Sequence, residues 1–348
     1  MMGAAGSPII QIHPTRRCNL RCLHCYSSSS PDEADSLPYA TVEGVIEDAH
    51  AQGYKVASFS GGEPVLYQPL GDALRCAKQY GMRTTVTSNG MLLTAARLEK
   101  LAGWVDVLAI SLDGIPESHN RMRNSDEAFE KMQANLEAVR NSGIDFGFIF
   151  TLTQHNVNEV DWAARFAAEQ GAKLFQIHPL EEVGRAAQIL AGQRPDEIES
   201  TYAFLEAERL RRIYEHRLFI QLDIVHRDLL AQHPERFYAE KEWRKPDRLA
   251  ECVTPLVVEA DGTVSPFGYG FGREFALGCI LDRRLRDLAP QWIDSTYGRF
   301  RELCGRVYAE ACEPSDLPFL NWYELIGVRS IGASRPERSV SSKLQTVS

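Results

Sequence analysis

From Ile9 to His178 the chain alternates short β-rich runs with stretches whose apolar residues recur at helical spacing. The β-rich runs are Ile9–Ile12, Lys55–Ser60, Thr84–Ser88, Val105–Ser111, Phe146–Thr153 and Lys173–His178. Between them, Val42, Val45, Ile46 and Ala49 form a helical stripe that ends before Gly53, and Leu70–Tyr80 stops at Gly81. A helix over Thr94–Leu101 follows, then a longer one over Asp126–Asn141 carrying Phe129, Met132, Leu136 and Val139, then one over Val160–Glu169. Alternation of this kind predicts an α/β fold: a parallel sheet or barrel covered by helices. Such folds place their chemistry at the C-terminal ends of the strands. The loop after Ile12, Gly61–Pro64, Ser88–Gly90, Ser111–Gly114 and His178 all fall at such ends and are expected to share one face.

The loop after the first strand is the most distinctive of these. Cys18, Cys22 and Cys25 stand as C-x3-C-x2-C, three of the eight cysteines of the chain. A loop this short cannot scatter its thiols, so the spacing suits several thiolates on one metal centre. An iron–sulfur cubane ordinarily takes four cysteines; three would leave one iron open, as catalytic metal sites do. A structural Cys3His zinc site with His24 is the alternative at this point.

Composition narrows the setting. The chain has 348 residues and a formal net charge of −9, with no basic stripe of the kind a nucleic-acid binder shows. It contains no apolar run of membrane-spanning length and no signal-like start before Ile9. We expect a cytoplasmic protein with no nucleic-acid or membrane partner, in which clustered thiols serve a metal or catalysis rather than disulfides.

Glycines at a strand end let a backbone approach a ligand, and beside Gly61-Gly62 the Glu63 carboxylate is an acceptor suited to an ammonium. Ser111 and Asp113 offer a hydroxyl and a carboxylate at another strand end. In combination, Cys18 to Tyr26, Gly61-Gly62-Glu63-Pro64, Ser88-Asn89-Gly90 and Ile110–Gly114 followed by His119 and Arg123 resemble the radical S-adenosylmethionine (SAM) superfamily, over roughly residues 8–186. The resemblance implies a partial (β/α)6 TIM-like barrel, expected over 8–225, with a [4Fe–4S] cluster on Cys18, Cys22 and Cys25. It implies SAM held by Gly61, Gly62, Glu63 and Pro64 at its methionyl ammonium, with Ser111 and Asp113 near ribose or carboxylate and Arg123 against the carboxylate. Ser88, Asn89, His24 and Tyr26 complete the expected pocket. Such an enzyme needs a flavodoxin- or ferredoxin-like electron donor, cleaves SAM to a 5′-deoxyadenosyl radical and takes hydrogen from its substrate.

Beyond Pro179 the rhythm changes: Gly184–Ala186 reads as a polar connection, Ile198, Tyr202, Leu205, Leu210 and Ile213 mark a long helix, and Phe219–Asp223 is a further strand. Residues 226–249 are charged and irregular and mark a boundary. Val253–Glu259 and Thr263–Pro266 then flank Asp261-Gly262 as a hairpin. The spacing Cys252, Gly262, Phe267 resembles the opening of a SPASM/twitch extension, a small α+β unit expected over 250–331, but a phenylalanine stands where that family has a cysteine. Cys252, Cys279, Cys304 and Cys312 are the candidates either for ligands of a second iron–sulfur cluster or for a hydrogen-atom donor; an extension that keeps its fold without a cluster is the favoured reading. Residues 332–348 read as a disordered tail. The expected function is maturation of a ribosomally made peptide by epimerisation or cross-linking. The alternatives are a small molecule such as a tetrapyrrole or sugar and, in another class, a non-catalytic metal-binding or regulatory protein.

Overall fold

A computed structural model of the chain describes residues 7–240, 244–315 and 318–332; the expected tail lies, apart from Gly332, outside them. The strands are β1 (Ile9–Ile12), β2 (Val56–Phe59), β3 (Arg83–Ser88), β4 (Val107–Ser111), β5 (Asp145–Leu152), β6 (Leu174–Pro179), β7 (Phe219–Leu222), β8 (Val225–His226), β9 (Leu256–Val258), β10 (Thr263–Pro266), β11 (Gly278–Cys279) and β12 (Phe319–Leu320). Strands β1 to β7 pair in sequence order, all parallel, with helices over Tyr39–Ala51, Leu70–Gln79, Ala95–Leu101, Ala128–Asn141, Val160–Glu169 and Glu197–Ile213 between them. Parallel neighbours require such crossovers, and the α/β fold read from the alternation is the fold observed.

Register separates two faces. Ile12, Phe59, Val86, Leu108 and Phe146 align across the sheet and are buried against the helices. Burying a side chain of that size contributes about 1.5–3 kcal/mol. The opposite face is polar: Gln11 aligns with Ser58 and Thr85, and Ser111 aligns through Ile149 with Gln176 and Gln221. A polar inner face of half-buried residues lines a space able to admit ligand rather than a packed core.

Three expectations change. The expected hairpin forms, β9 antiparallel to β10, but β9 also pairs parallel with β1. The extension therefore prolongs the sheet of the first unit. Arg284 and Arg286 reinforce the junction by converging on the buried Asp48 carboxylate of the first covering helix, with Arg284 Nε 2.9 Å and Arg286 Nε 2.6 Å away. The segment read as irregular, 226–249, begins in β8, which pairs with β12, and contains a short helix, Arg227–Gln232. Of the apolar residues used to find helix Glu197–Ile213, Ile198, Tyr202, Leu205 and Ile213 face outward and Leu210 is buried, together with Ala203 and Ala207. Small alanines let this helix lie close to its neighbours.

Candidate functional site

Cys18, Leu20 and Cys22 form a small buried cluster, with Cys25 and Met91 against it, apart from the main core. No cysteine of the chain is in a disulfide. Each sulfur has a polar neighbour: Leu20 N at 3.4 Å and Asn89 Nδ2 at 3.9 Å from Cys18 Sγ, Arg123 Nη1 at 3.8 Å from Cys22 Sγ, and Ser27 Oγ at 3.4 Å from Cys25 Sγ. Burial pushes the Cys22 thiol up to about 11, against the pull of Arg123, and raises Cys18 further. Donors aimed at sulfur suit bound thiolates, whose charge they offset. Among the described residues, no three His, Cys, Asp or Glu side chains close on a single metal ion.

The loop is held from several directions. Gly62 N donates to Thr15 O at 2.9 Å and Glu63 N to Arg17 O at 3.0 Å, so the Gly61–Pro64 segment lies along the residues leading into the cysteines. A Cβ on Gly62 would collide with the Arg17 carbonyl. The glycine thus serves contact between two stretches of chain, where the sequence suggested approach to a ligand. Asn89 at the end of β3 reaches Asn19 Oδ1 at 2.8 Å. After β6, Arg185 donates from its backbone to Cys25 O at 2.9 Å and from its guanidinium to Cys22 O at 2.7 Å, Ser29 O at 2.9 Å and Ser28 O at 3.0 Å. Gly184 makes that approach possible, since its φ is +62° and a Cβ there would strike Tyr26 O. Sequence reading took this stretch for a polar connection; the Gly-Arg pair after a strand was the signal available.

Glu63 is fully buried and its carboxylate accepts from Ser88 Oγ and Asn89 N, both at 2.9 Å, and from Val65 N at 3.4 Å. Its oxygens tie the ends of β2 and β3 together, and Pro64 begins the short 3-10 turn that follows. Arg123 Nε donates to Asp113 Oδ2 at 2.6 Å. Although burial opposes it, Arg123 holds the Asp113 carboxyl well below the usual carboxylate range. His119 Nδ1 accepts from Asp113 N at 3.2 Å, and burial lowers its pKa to about 3, so it is neutral. Arg123 stands on a helix, Pro116–Arg123, that the sequence did not reveal: its residues are polar, and Glu159 caps it from afar through Ile115 N at 2.9 Å and Ser118 Oγ at 2.7 Å. Ser111 lies on the inner face at the end of β4.

Several buried polar atoms around this face have no partner within the protein: Asp113 Oδ1, His24 Nδ1 and both ring nitrogens of His13. Unpaired buried groups are costly, and a bound molecule carrying hydrogen-bonding groups relieves that cost. The site therefore fits SAM on this chain's own geometry. His24 is lowered to about 4 by burial. Tyr26 OH lies 3.0 Å from Ser60 Oγ, and its ring meets His13 and Tyr269 at centroid distances of 5.5 and 5.6 Å. Tyr269 comes from the extension, and neither it nor His13 was found from sequence. His178 and Asp223, at the ends of β6 and β7, are joined on the inner face, Nδ1 to Oδ2 at 2.9 Å.

No three of the late cysteines come together on one point. Cys252 and Cys304 are fully buried, Cys279 lies in the edge strand β11, and Cys312 caps the end of helix Tyr297–Ala311. Around Phe267 the extension is filled with rings: Phe300 at 5.1 Å, Tyr238 at 5.4 Å, Tyr323 at 5.7 Å and Phe271 at 5.8 Å between centroids.

The model of the Radical SAM superfamily matches residues 12–167. The chain is 27% identical over 302 residues to Fe-coproporphyrin III synthase of Methanosarcina barkeri, covering 82% of this chain and 74% of that protein. It is 24% identical to the antilisterial bacteriocin subtilosin biosynthesis protein AlbA of Bacillus subtilis, covering 77% of this chain and 56% of that one. Its fold matches Streptococcus suis SuiB bound to SAM, with a TM-score of 0.66 and 17% identity over 85% of this chain and 68% of SuiB. No helix among the described residues is long and apolar enough to cross a membrane. With this domain over the first half of the sheet and the cysteine loop at its strand ends, the chain carries a radical SAM superfamily domain and is a radical SAM enzyme.

Proposed function

We propose that Cys18, Cys22 and Cys25 hold a [4Fe–4S] cluster and that SAM binds beside it across the ends of β2, β3 and β4. The observation that carries this reading is the meeting, on one face, of two buried thiols and a half-buried third, with their polar neighbours, and a set of unpaired buried polar atoms. Held by these three cysteines, a reduced cluster would supply the electron for reductive cleavage of SAM and so for hydrogen-atom abstraction from the substrate. The chain's own residues fix the geometry. Arg185, Asn89 and the Gly61–Glu63 backbone hold the cysteine loop, the Arg123–Asp113 pair sets the far wall, and the inner strand face receives the substrate. In this reading residues 8–225 are the catalytic unit and 250–331 an extension that closes it.

For substrate we favour a tetrapyrrole, on the similarity to Fe-coproporphyrin III synthase along 82% of the chain. A ribosomal peptide is the second reading, supported by the similarity to AlbA and by the fold shared with SuiB, which has been solved bound to its precursor peptide SuiA. We read the extension as free of a cluster, because aromatic rings surround Phe267 and no three of the late cysteines come together; this suits redox-neutral chemistry or an electron acceptor outside the chain. Anaerobically reconstituted protein with dithionite and SAM should release 5′-deoxyadenosine and contain about four irons per chain. No 5′-deoxyadenosine would overturn the enzyme reading, and about eight irons the cluster-free extension. Stimulation of turnover by a tetrapyrrole precursor of iron-coproporphyrin III, and not by a precursor peptide, would decide between the substrates.

A further inference from the structure

The acceptor that the sequence offers for a methionyl ammonium, Glu63, is already used by three donors. Beside it is an acceptor that is not. His13 follows β1 on the inner face and is 1% exposed, and neither ring nitrogen has a hydrogen-bond partner. Its Cα and Cβ lie against Gly61, where an added Cβ would come within 2.9 Å of His13 Cβ, and its ring meets Tyr26. Both neighbours belong to the proposed SAM pocket.

What covers His13 comes from the extension. Tyr269 stacks on the imidazole at 5.5 Å between centroids and 16° between planes. The loop carrying Tyr269 is fixed just after it: Gly270 N donates to the buried Glu259 carboxylate at 3.0 Å, and Gly272 N to Ser330 Oγ at 2.9 Å. A Cβ on Gly270 would reach Val183 beyond β6 at 3.0 Å, so this one loop touches both the end of β1 and the segment after β6. It thus reaches from the C-terminal end of β1 to that of β6.

We propose that His13 is a further SAM-binding residue, whose neutral imidazole accepts a hydrogen bond from the methionyl ammonium beside Gly61, and that Tyr269 is the positioning residue that fixes the plane of that ring. The inference rests on the SAM site proposed above. Burial lowers the pKa of His13 to about 3, so the ring remains an acceptor at neutral pH and does not repel a cation. It also gives the extension a task that needs no metal: carrying a tyrosine over the pocket.

The test is SAM binding by the anaerobically reconstituted full chain, followed by equilibrium dialysis, with iron content measured on the same samples. His13→Phe keeps the ring volume and removes the acceptor; it should weaken SAM about ten- to a hundredfold, as loss of a hydrogen bond to a charged group does, with iron unchanged. His13→Gln, which retains an acceptor, should recover part of the affinity. A SAM analogue lacking the amino group should bind wild type and His13→Phe alike. Tyr269→Ala should bind SAM more weakly, with no further loss when combined with His13→Phe, and Tyr269→Phe, which keeps the stacking ring, should recover most of that affinity. Wild-type affinity in His13→Phe overturns the proposal, and so does loss of iron in that variant, which would make His13 a support of the cysteine loop. Failure of wild type itself to bind SAM overturns the site on which the proposal rests.

Discussion

The chain keeps two populations of cysteine in opposite surroundings. Cys18, Cys22 and Cys25 share one loop, and each sulfur has a nitrogen or hydroxyl neighbour. Cys252 and Cys304 are fully buried in the main hydrophobic core, and the thiol of Cys252 donates only locally, to Leu249 O at 3.2 Å and Arg248 O at 3.7 Å. The first environment suits charged sulfur and the second a small hydrophobe. Burial alone does not make a ligand; converging thiols with donors do.

The sharpest way to break this contrast is to count iron. Changing Cys18, Cys22 and Cys25 together to Ala should abolish bound iron and 5′-deoxyadenosine formation, whereas the Cys252→Ala/Cys304→Ala pair should retain full iron after reconstitution. Iron lost in the second variant would move those cysteines into the metal population. Next in size is the aromatic core. Phe267→Ala should cost about 3–5 kcal/mol in denaturant unfolding, as large-to-small changes in packed cores do, and leave iron per folded chain unchanged. A smaller effect is expected from Arg185→Gln, which deprives three loop carbonyls of a charged donor, about 1.5–3 kcal/mol of support for the loop. It should appear as lower iron retention and an altered cluster EPR signal, with Arg185→Lys recovering only part, because an ammonium cannot present the guanidinium fork.

The smallest effect concerns His178. Burial works to lower its pKa, but hydrogen bonds to Asp223 and Glu181 prevail and raise it from 6.5 to about 10. A group raised in the folded state stabilises fully below its unfolded pKa and loses that contribution as pH climbs through the folded one. The stability deficit of His178→Gln should thus be greatest below pH 6.5 and close as pH approaches 10. The ring is about one-third exposed, so solvent screening keeps the effect modest. Urea midpoints at pH 6, 8 and 10 check it; a deficit constant with pH would show that the ion pair contributes nothing.

Much of the fold is legible locally. Strands β1 to β6 and the helices between them follow from alternation, apolar spacing and glycine stops, because each is encoded within its own segment. Helix Pro116–Arg123 escapes that reading: it lacks an apolar stripe and is capped by Glu159, remote in sequence. The outward apolar face of Glu197–Ile213 misleads for a related reason, since alanine buries little area and gives a weak pattern while permitting the close packing that decides orientation.

The sequence by itself determined the alternating α/β plan and the residues of the cysteine loop, since periodicity and short spacing are properties of contiguous residues. Only the tertiary structure decided how those residues are used. Glu63 becomes a tie between strands because Ser88 and Asn89 meet it, and Arg185 becomes a clamp because β6 ends beside the cysteines. The extension reaches the site because β9 pairs with β1 and carries Tyr269 onto His13. Each of these depends on partners far apart in sequence, and sheet register and loop approach, not local pattern, bring them together.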